Sequence, residues 1–281
     1  MPAESRYLKI AMLFAKRSVR FSPRNRVGSR RAGIRAGIAL LCFVAGGAMA
    51  ADAPATDAQA RELLSRADRI RFPEEGFQVD VTITSHAPGR EPEERAYRIL
   101  SKGNTRTLVQ TTAPATERDQ ILLMRERDLW AFLPNLSQPV RLPLSQRLTG
   151  QVANGDLARA NFAGDYEPSI LRRETLDGEP CYVLQLDAVD KWVTYRRVVY
   201  WVGAKDDRPH KAEFYAVSGR LLKTAHYRDF EVLGGAIRPT RIVVDDALKS
   251  EHRSELVYRN MTARELPDRV FTKDYLKKLS R

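Results

Sequence analysis

Histidine, cysteine and paired carboxylates are the side chains best suited to hold a metal or move a proton, and this sequence scatters them. His86, His210, His226 and His252 have no partner at the spacing of a metal-ligand set. They read as exposed or strand-face histidines. Cys181 lies in the alternating run Cys181 to Leu186, where it reads as a small core residue, inert without a base beside it. Asp206-Asp207 and Asp245-Asp246 have the adjacency that a general acid/base pair or a calcium site requires. Both pairs fall at strand ends, where solvated turn acids are the simpler account. Asp156, after Asn154-Gly155, and Asp165, before Tyr166, bracket an irregular segment, and Asn-Gly-Asp is itself a turn or helix-capping sequence. There is no G-x-S-x-G elbow, P-loop or dinucleotide fingerprint. The residues carry no enzyme signature, and neither a metal nor a cofactor is expected.

What the chain does offer is an aromatic inventory on strand-like runs: Trp130, Phe132, Tyr182, Trp192, Tyr195, Tyr200, Trp201, Phe214, Tyr215, Tyr227, Phe230 and Tyr258. Val198 to Val202 is apolar on both faces, with Tyr200 and Trp201 adjacent. One face of such a strand packs the core, and the other must be covered or must line a cavity. A curved sheet with a helical cover meets that demand, and a cover that parts admits an apolar ligand. An ordinary sandwich core accounts for the pattern equally well.

The elements that would position these residues follow from periodicity. Asp57 can cap a helix whose apolar residues Ala60, Leu63, Leu64, Ala67 and Ile70 recur at helical spacing, ending at Phe72-Pro73. The period then becomes two, with Phe77, Val79, Val81 and Ile83 alternating with polar residues. Strands are expected over 96–101, 105–111, 120–124 and 128–133, separated by turns such as Gly103-Asn104 and the charged segment Arg125 to Asp128. Between Pro134 and Pro168 the strand pattern stops, with short helical possibilities near 145–148 and 156–162. A long irregular insert in a β domain is more often a lid or binding element than an idle loop. Strands resume over 181–186, 194–202, 211–217, 221–230, 237–245 and 254–260, and 271–279 suits a closing helix. The series is a mainly antiparallel meander with a few helices, an α+β chain, and 51–281 read as one domain.

Residues 1–50 read as a secretory leader: Arg30, Arg31 and Arg35, an apolar run from Ala36 to Ala48, and the small-residue cleavage sequence Ala48-Met49-Ala50. The run is shorter than a bilayer span, so no anchor is expected. Leu41 before Cys42 does not suit a lipidation signal, and Ala32-Gly33 after the arginine pair favours Sec export over a twin-arginine route. The basic stretch 1–29 is long for a leader, and Met12 is an alternative start. Those first 50 residues hold ten Lys and Arg against one acid, so beyond them 37 basic face 34 acidic residues and the formal charge falls from +12 to +3. The basic balance that would suggest a nucleic-acid partner is therefore mostly leader. Cys181 is then the single cysteine, so no intramolecular disulfide is expected.

Three groups of residues together resemble a known family. Ile121-Leu122-Leu123-Met124 with Asp128-Leu129-Trp130-Ala131-Phe132-Leu133-Pro134 is similar to a strand pair of the LolA-like outer-membrane lipoprotein-sorting proteins, in particular the branch found beside export pumps. Arg141-Leu142-Pro143 to Gly150, and Gly155-Asp156 to Asp165-Tyr166, resemble that branch's insert, although Asn154-Gly155-Asp156-Leu157 stands where the branch has a Met-Gly-Ser-Asp-Phe type of sequence. The third group runs through Val198 to Val202, Lys211 to Tyr215, Ser218 to Thr224, and Gly235 with Arg238-Pro239-Thr240. The resemblance implies an open, curved β-barrel or half-barrel around helices, LolA/LolB-like, with an apolar cavity for the acyl chains of a lipoprotein or a phospholipid. It implies no cofactor and no catalytic residue.

On this reading the protein is a periplasmic carrier of lipid-bearing cargo, in transient contact with membranes and with an inner-membrane transporter as a further partner. Trp130, Phe132, Tyr200, Trp201, Phe214 and Tyr215 are the candidates for the cavity wall, and the pattern leaves open which sheet face points inward. The rival reading is a pump accessory subunit that binds protein without lipid; a third is an extracytoplasmic hydrolase using Asp156 or Asp165.

Overall fold

The computed structural model describes residues 57–279, apart from Asn135 and Ala160; the leader expected over 1–50 lies outside these residues. Helix α1, Asp57–Arg71, begins where Asp57 was expected to cap it and buries Ala60, Leu63, Leu64 and Ala67. It also buries Asp68 and Arg71, which continue the same stripe at four-residue spacing, while Ile70 is only half-buried. Among the described residues no helix is long and apolar enough to cross a membrane.

Two antiparallel meanders follow. The first comprises β1 (Phe77–His86), β2 (Glu93–Lys102), β3 (Arg106–Ala113), β4 (Ile121–Arg125), β5 (Asp128–Phe132) and β6 (Val140–Leu142). The short β7 (Arg147–Thr149) and β8 (Val152–Ala153) then pair with each other in a separate sheet, and the helical turns α2 (Asn154–Ala158) and α3 (Phe162–Asp165) come next. The second meander is β9 (Tyr166–Leu176), β10 (Glu179–Ala188), β11 (Arg197–Gly203), β12 (Pro209–Tyr215), β13 (Leu221–Leu233), β14 (Ala236–Asp246) and β15 (Arg253–Ala263). Pairing of β1 with β15, from Phe77↔Ala263 to His86↔Arg253, fuses the meanders into one 13-stranded sheet. The sheet is curved and unclosed: β6 and β9 are its two edges.

The sequence pattern runs the insert to Pro168 and indicates no strand between it and Cys181. In fact Tyr166 opens an eleven-residue strand, β9, whose pattern of Arg172, Arg173 and Glu174 is that of an exposed edge. Its apolar alternation is weak because it has a neighbour on one side only, and charge on such an edge discourages pairing with other chains. The helical possibility near 145–148 is also corrected, since Arg147–Thr149 is a strand. The two edges are consecutive in the chain, so residues 143–165 must pass from one to the other across the open side of the sheet. Gly150, at φ +48, allows the turn between β7 and β8 to press onto β1 and β15: a Cβ there would lie 2.0 Å from Ser85 Oγ and 2.3 Å from Ser254 Oγ.

Alternation then decides which side chains meet. Val79, Val81 and Ile83 of β1, Leu184 and Leu186 of β10, Tyr200 of β11, Phe214 of β12 and Tyr227 of β13 face inward onto α1 and the insert, forming the main core. The opposite face carries two smaller clusters. One gathers Leu108, Ile121, Leu123 and Phe132 under the C-terminal 3-10 turn Asp268–Phe271 and helix α4, Lys273–Leu279. The other is Cys181, Val183 and Trp201.

Candidate functional site

The inner face of the sheet holds a cavity bounded by Arg71 of α1, Phe162 and Asp156 of the insert, and Phe214, Tyr227 and Tyr258 of the sheet. Its volume is about 50 Å³, room for one or two waters, whereas pockets that hold drug-sized ligands run to roughly 300–1,000 Å³. The space an apolar ligand would need is occupied by the insert itself. Phe162 enters an aromatic cluster, edge-on to Tyr200 at 5.3 Å and to Tyr166 at 5.6 Å between ring centres. Such contacts contribute about 0.5–1.5 kcal/mol each beyond burial.

Three ionic clusters hold the plug in place. In the first, Asp156 accepts from the Ala153 amide at 2.7 Å, from the Tyr195 hydroxyl at 2.9 Å, and from Lys223 of β13. Lys223 also donates to Gln151 O at 3.0 Å. In the second, Arg159 grips Asp165 at 2.6 Å, and Arg127, from the turn between β4 and β5, reaches Asp165, Gly164 O and Asp190. This cluster bridges the edge-side turn of the first meander to the start of the second. In the third, Asp68 of α1 accepts from the Ala163 amide at 2.7 Å and from Arg71 at 3.1 Å, and the Arg71 guanidinium lies 4.2 Å from the Phe162 ring centre.

Burial sets the electrostatics. It pushes the Asp68 carboxyl up to about 6, against the attraction of Arg71 and the Ala163 amide, which lower it. Burial likewise raises the Tyr195 and Tyr200 phenols well above their ordinary range, Tyr195 further because it faces Asp156. The Nε of Arg71 is buried without a hydrogen-bond partner among the described residues, a spare donor at the cavity wall. Asp156 and Asp165, the acids a hydrolase would have used, are thus both engaged with cations of the plug's own attachment.

Of the six sequence candidates, Phe214 lines the cavity and Tyr200 lies directly behind Phe162. The alternation of strands puts their neighbours on the other face. Trp201 joins Cys181 and Val183 there, donating its indole N–H to Glu174, with Lys211 Nζ 4.3 Å from its ring centre. Tyr215 bonds Glu213 at 2.6 Å and borders an outer groove. Phe132 and Trp130 belong to the cluster under α4, with Lys273 Nζ 3.8 Å from the Trp130 ring centre. Phe162, Tyr166, Arg71 and Lys223 were missed, although two carried a signal. Arg71 continues the apolar stripe of α1, and Lys223 precedes Ala225 and Tyr227 on the buried face of β13, positions where a charge needs a partner.

A family model described as "Uncharacterized protein" matches residues 103–278. None of the curated proteins matches the chain. Among solved structures, a LolA superfamily protein from Nitrosomonas europaea is 56% identical, with a TM-score of 0.74 and a match covering 77% of this chain and 98% of that one. An outer membrane lipoprotein-sorting protein domain from Vibrio parahaemolyticus is 21% identical, with a TM-score of 0.68 over 79% of this chain and 100% of that one. A DUF1329 family protein from Desulfovibrio piger is 20% identical, with a TM-score of 0.68 over 78% and 98%. The last two share the fold.

Proposed function

The chain belongs to the LolA superfamily, and on that premise we propose that it is a periplasmic carrier that shelters acyl chains, those of a lipoprotein or a phospholipid, on the inner face of its open sheet. One observation carries this reading: the insert that fills that face has no strand ladder to the large sheet and is held by side-chain contacts, the buried Leu144, Val152, Leu157 and Phe162 together with the Lys223–Asp156, Arg159–Asp165 and Asp68 clusters. Such an attachment can release as a unit while the thirteen strands stay paired. Burying acyl methylenes yields about 0.8 kcal/mol each, and that gain offsets the burial lost when Leu144, Val152, Leu157 and Phe162 of the insert leave the core. With the plug displaced, Phe214, Tyr200 and Tyr227 form the wall, and the chains take the place of Phe162.

The test is to purify the protein without detergent and to look for bound lipid by native mass spectrometry and organic extraction, alongside titration with a fluorescent fatty acid. Co-purifying acyl species and saturable fluorescence are expected. A protein that carries no lipid and leaves the probe in water would refute the carrier reading and favour an accessory subunit that binds only protein.

A further inference from the structure

Two connections at one corner of the sheet combine exposed apolar residues with positive charge. The loop 189–196 joins β10 to β11, and the turn 216–220 joins β12 to β13. The register Arg197↔Tyr215 sets them side by side, and the Arg196 amide donates to Tyr215 O at 3.2 Å. Trp192 is 63% exposed, Val217 88% and Val189 43%. Scattered surface apolar residues need no explanation, but these three share two adjoining loops. Lys191 and Val193 border grooves on both sides, Trp192 stands over the first, and Val189 and Val217 wall the second.

The tryptophan is presented by built structure. Its amide donates to Asp190 Oδ1 at 2.7 Å, Asp190 is itself held by Arg127, and the Val189 amide donates to Asp165 O at 3.0 Å. Lys191 Nζ lies 5.0 Å from the indole ring centre. Across the two connections Lys191, Arg196 and Arg220 face a single acid, Asp190, which Arg127 neutralises. Indole and aliphatic groups that sit at headgroup depth, beside lysine and arginine stems that reach phosphates, are the chemistry of a membrane interface.

We propose that this corner docks the protein on an anionic phospholipid surface. The inference deepens the carrier reading and rests on it for its purpose. Thr194 and Tyr195 border both the inner cavity and the second groove, and Arg159 borders both the cavity and the first. A bilayer held at this corner therefore meets the plug along the seam where Arg127, Arg159 and Asp165 fasten it, which is where lipid would enter or leave.

The experiment is cosedimentation with vesicles of phosphatidylglycerol and phosphatidylethanolamine, and with vesicles of phosphatidylcholine alone. Binding is expected on the anionic vesicles and about tenfold weaker on the neutral ones. Trp192→Ala with Val217→Ser should abolish it, and Lys191→Gln should weaken it about fivefold, the equivalent of about 1 kcal/mol per cation near an anionic surface. Brominated lipids should quench the tryptophan fluorescence of the unaltered protein but not of Trp192→Phe, which keeps binding. These residues lie outside the cavity wall, so thermal stability and uptake of a fluorescent fatty acid from solution should not change. Equal binding to both vesicle types, no binding to either, or undiminished binding by Trp192→Ala/Val217→Ser overturns the proposal; in the second case the surface fits a protein partner. Vesicle binding without fatty-acid uptake would instead overturn the carrier reading and leave the docking surface standing.

Discussion

Lys223 and Asp156, 67 residues apart in the chain, form an ion pair on the inner face of the sheet, their side chains 8% and 17% exposed. Lys223 belongs to the sheet and Asp156 to the plug, so the pair is a fastening between two parts that the backbone does not otherwise join there. A buried pair adds little stability when intact, because two desolvations offset the attraction, yet it is costly when half of it is removed. That combination suits a joint whose register matters more than its strength.

The first prediction is on that joint. Asp156→Asn and Lys223→Met should each destabilise the protein by about 3 kcal/mol, because each strands a buried charge. Asp156→Leu with Lys223→Met should recover most of the loss. Urea denaturation measures this; single variants costing under about 1 kcal/mol would show the pair to be solvated and the plug otherwise held.

Arg127 is the seam's second fastening, and its side chain is 34% exposed. Solvent screens its pairs with Asp165 and Asp190, so Arg127→Ala should cost only about 1 kcal/mol. The rate of fatty-acid uptake should nonetheless rise several-fold, since the edge-side turn no longer clips the plug. Stopped-flow fluorescence reads that rate, and an unchanged rate would mean the plug opens elsewhere.

A third prediction concerns pH. The Asp68 carboxyl titrates near 6 in the folded chain against an ordinary 3.8, so between those values the folded state holds the extra proton. Stability contributed by this group therefore falls as pH rises from about 4 through 6 and is flat above. At roughly 1.4 kcal/mol per unit, the wild type should gain about 1 kcal/mol on Asp68→Asn when pH drops from 7 to 5. Denaturant midpoints of both proteins at the two pH values test the sign.

The fourth separates the two sheet faces. Phe214→Ala and Trp201→Ala remove buried rings and should each destabilise by about 3–5 kcal/mol. Of the two, Phe214→Ala alone should alter the affinity of the folded protein for a fatty-acid probe, because Trp201 packs on the opposite face. A Trp201→Ala variant with weakened probe affinity would contradict that assignment of faces.

How much of this was legible beforehand depended on range. The period-two runs of Phe77 to Ile83 and Cys181 to Leu186 fixed strands and their order, because an alternation that buries one face is a local property of the chain. The stripe Ala60, Leu63, Leu64 and Ala67 fixed α1 in the same way. β9 was hidden because its edge position removes the pattern that reveals central strands. The site was half legible: Tyr200 and Trp201 were both candidates for the cavity wall, but adjacent residues point to opposite faces, and nothing within the strand says which face is inner.

By itself, then, the sequence determined a β-rich chain of antiparallel neighbours, an N-terminal amphipathic helix, and an insert unlike the rest. Only the tertiary structure decided that β1 pairs with β15, that the insert fills the inner face, and that Asp156, Arg159 and Asp165 spend their charge on holding it there. Several of those decisions rest on distant partners, such as Lys223 for Asp156, 67 residues away, or Ser254 for Ser85, 169 residues away. Pairing at that distance is set by how the whole sheet curves and by which charges must find each other once water is excluded, and neither is written in any local run of residues.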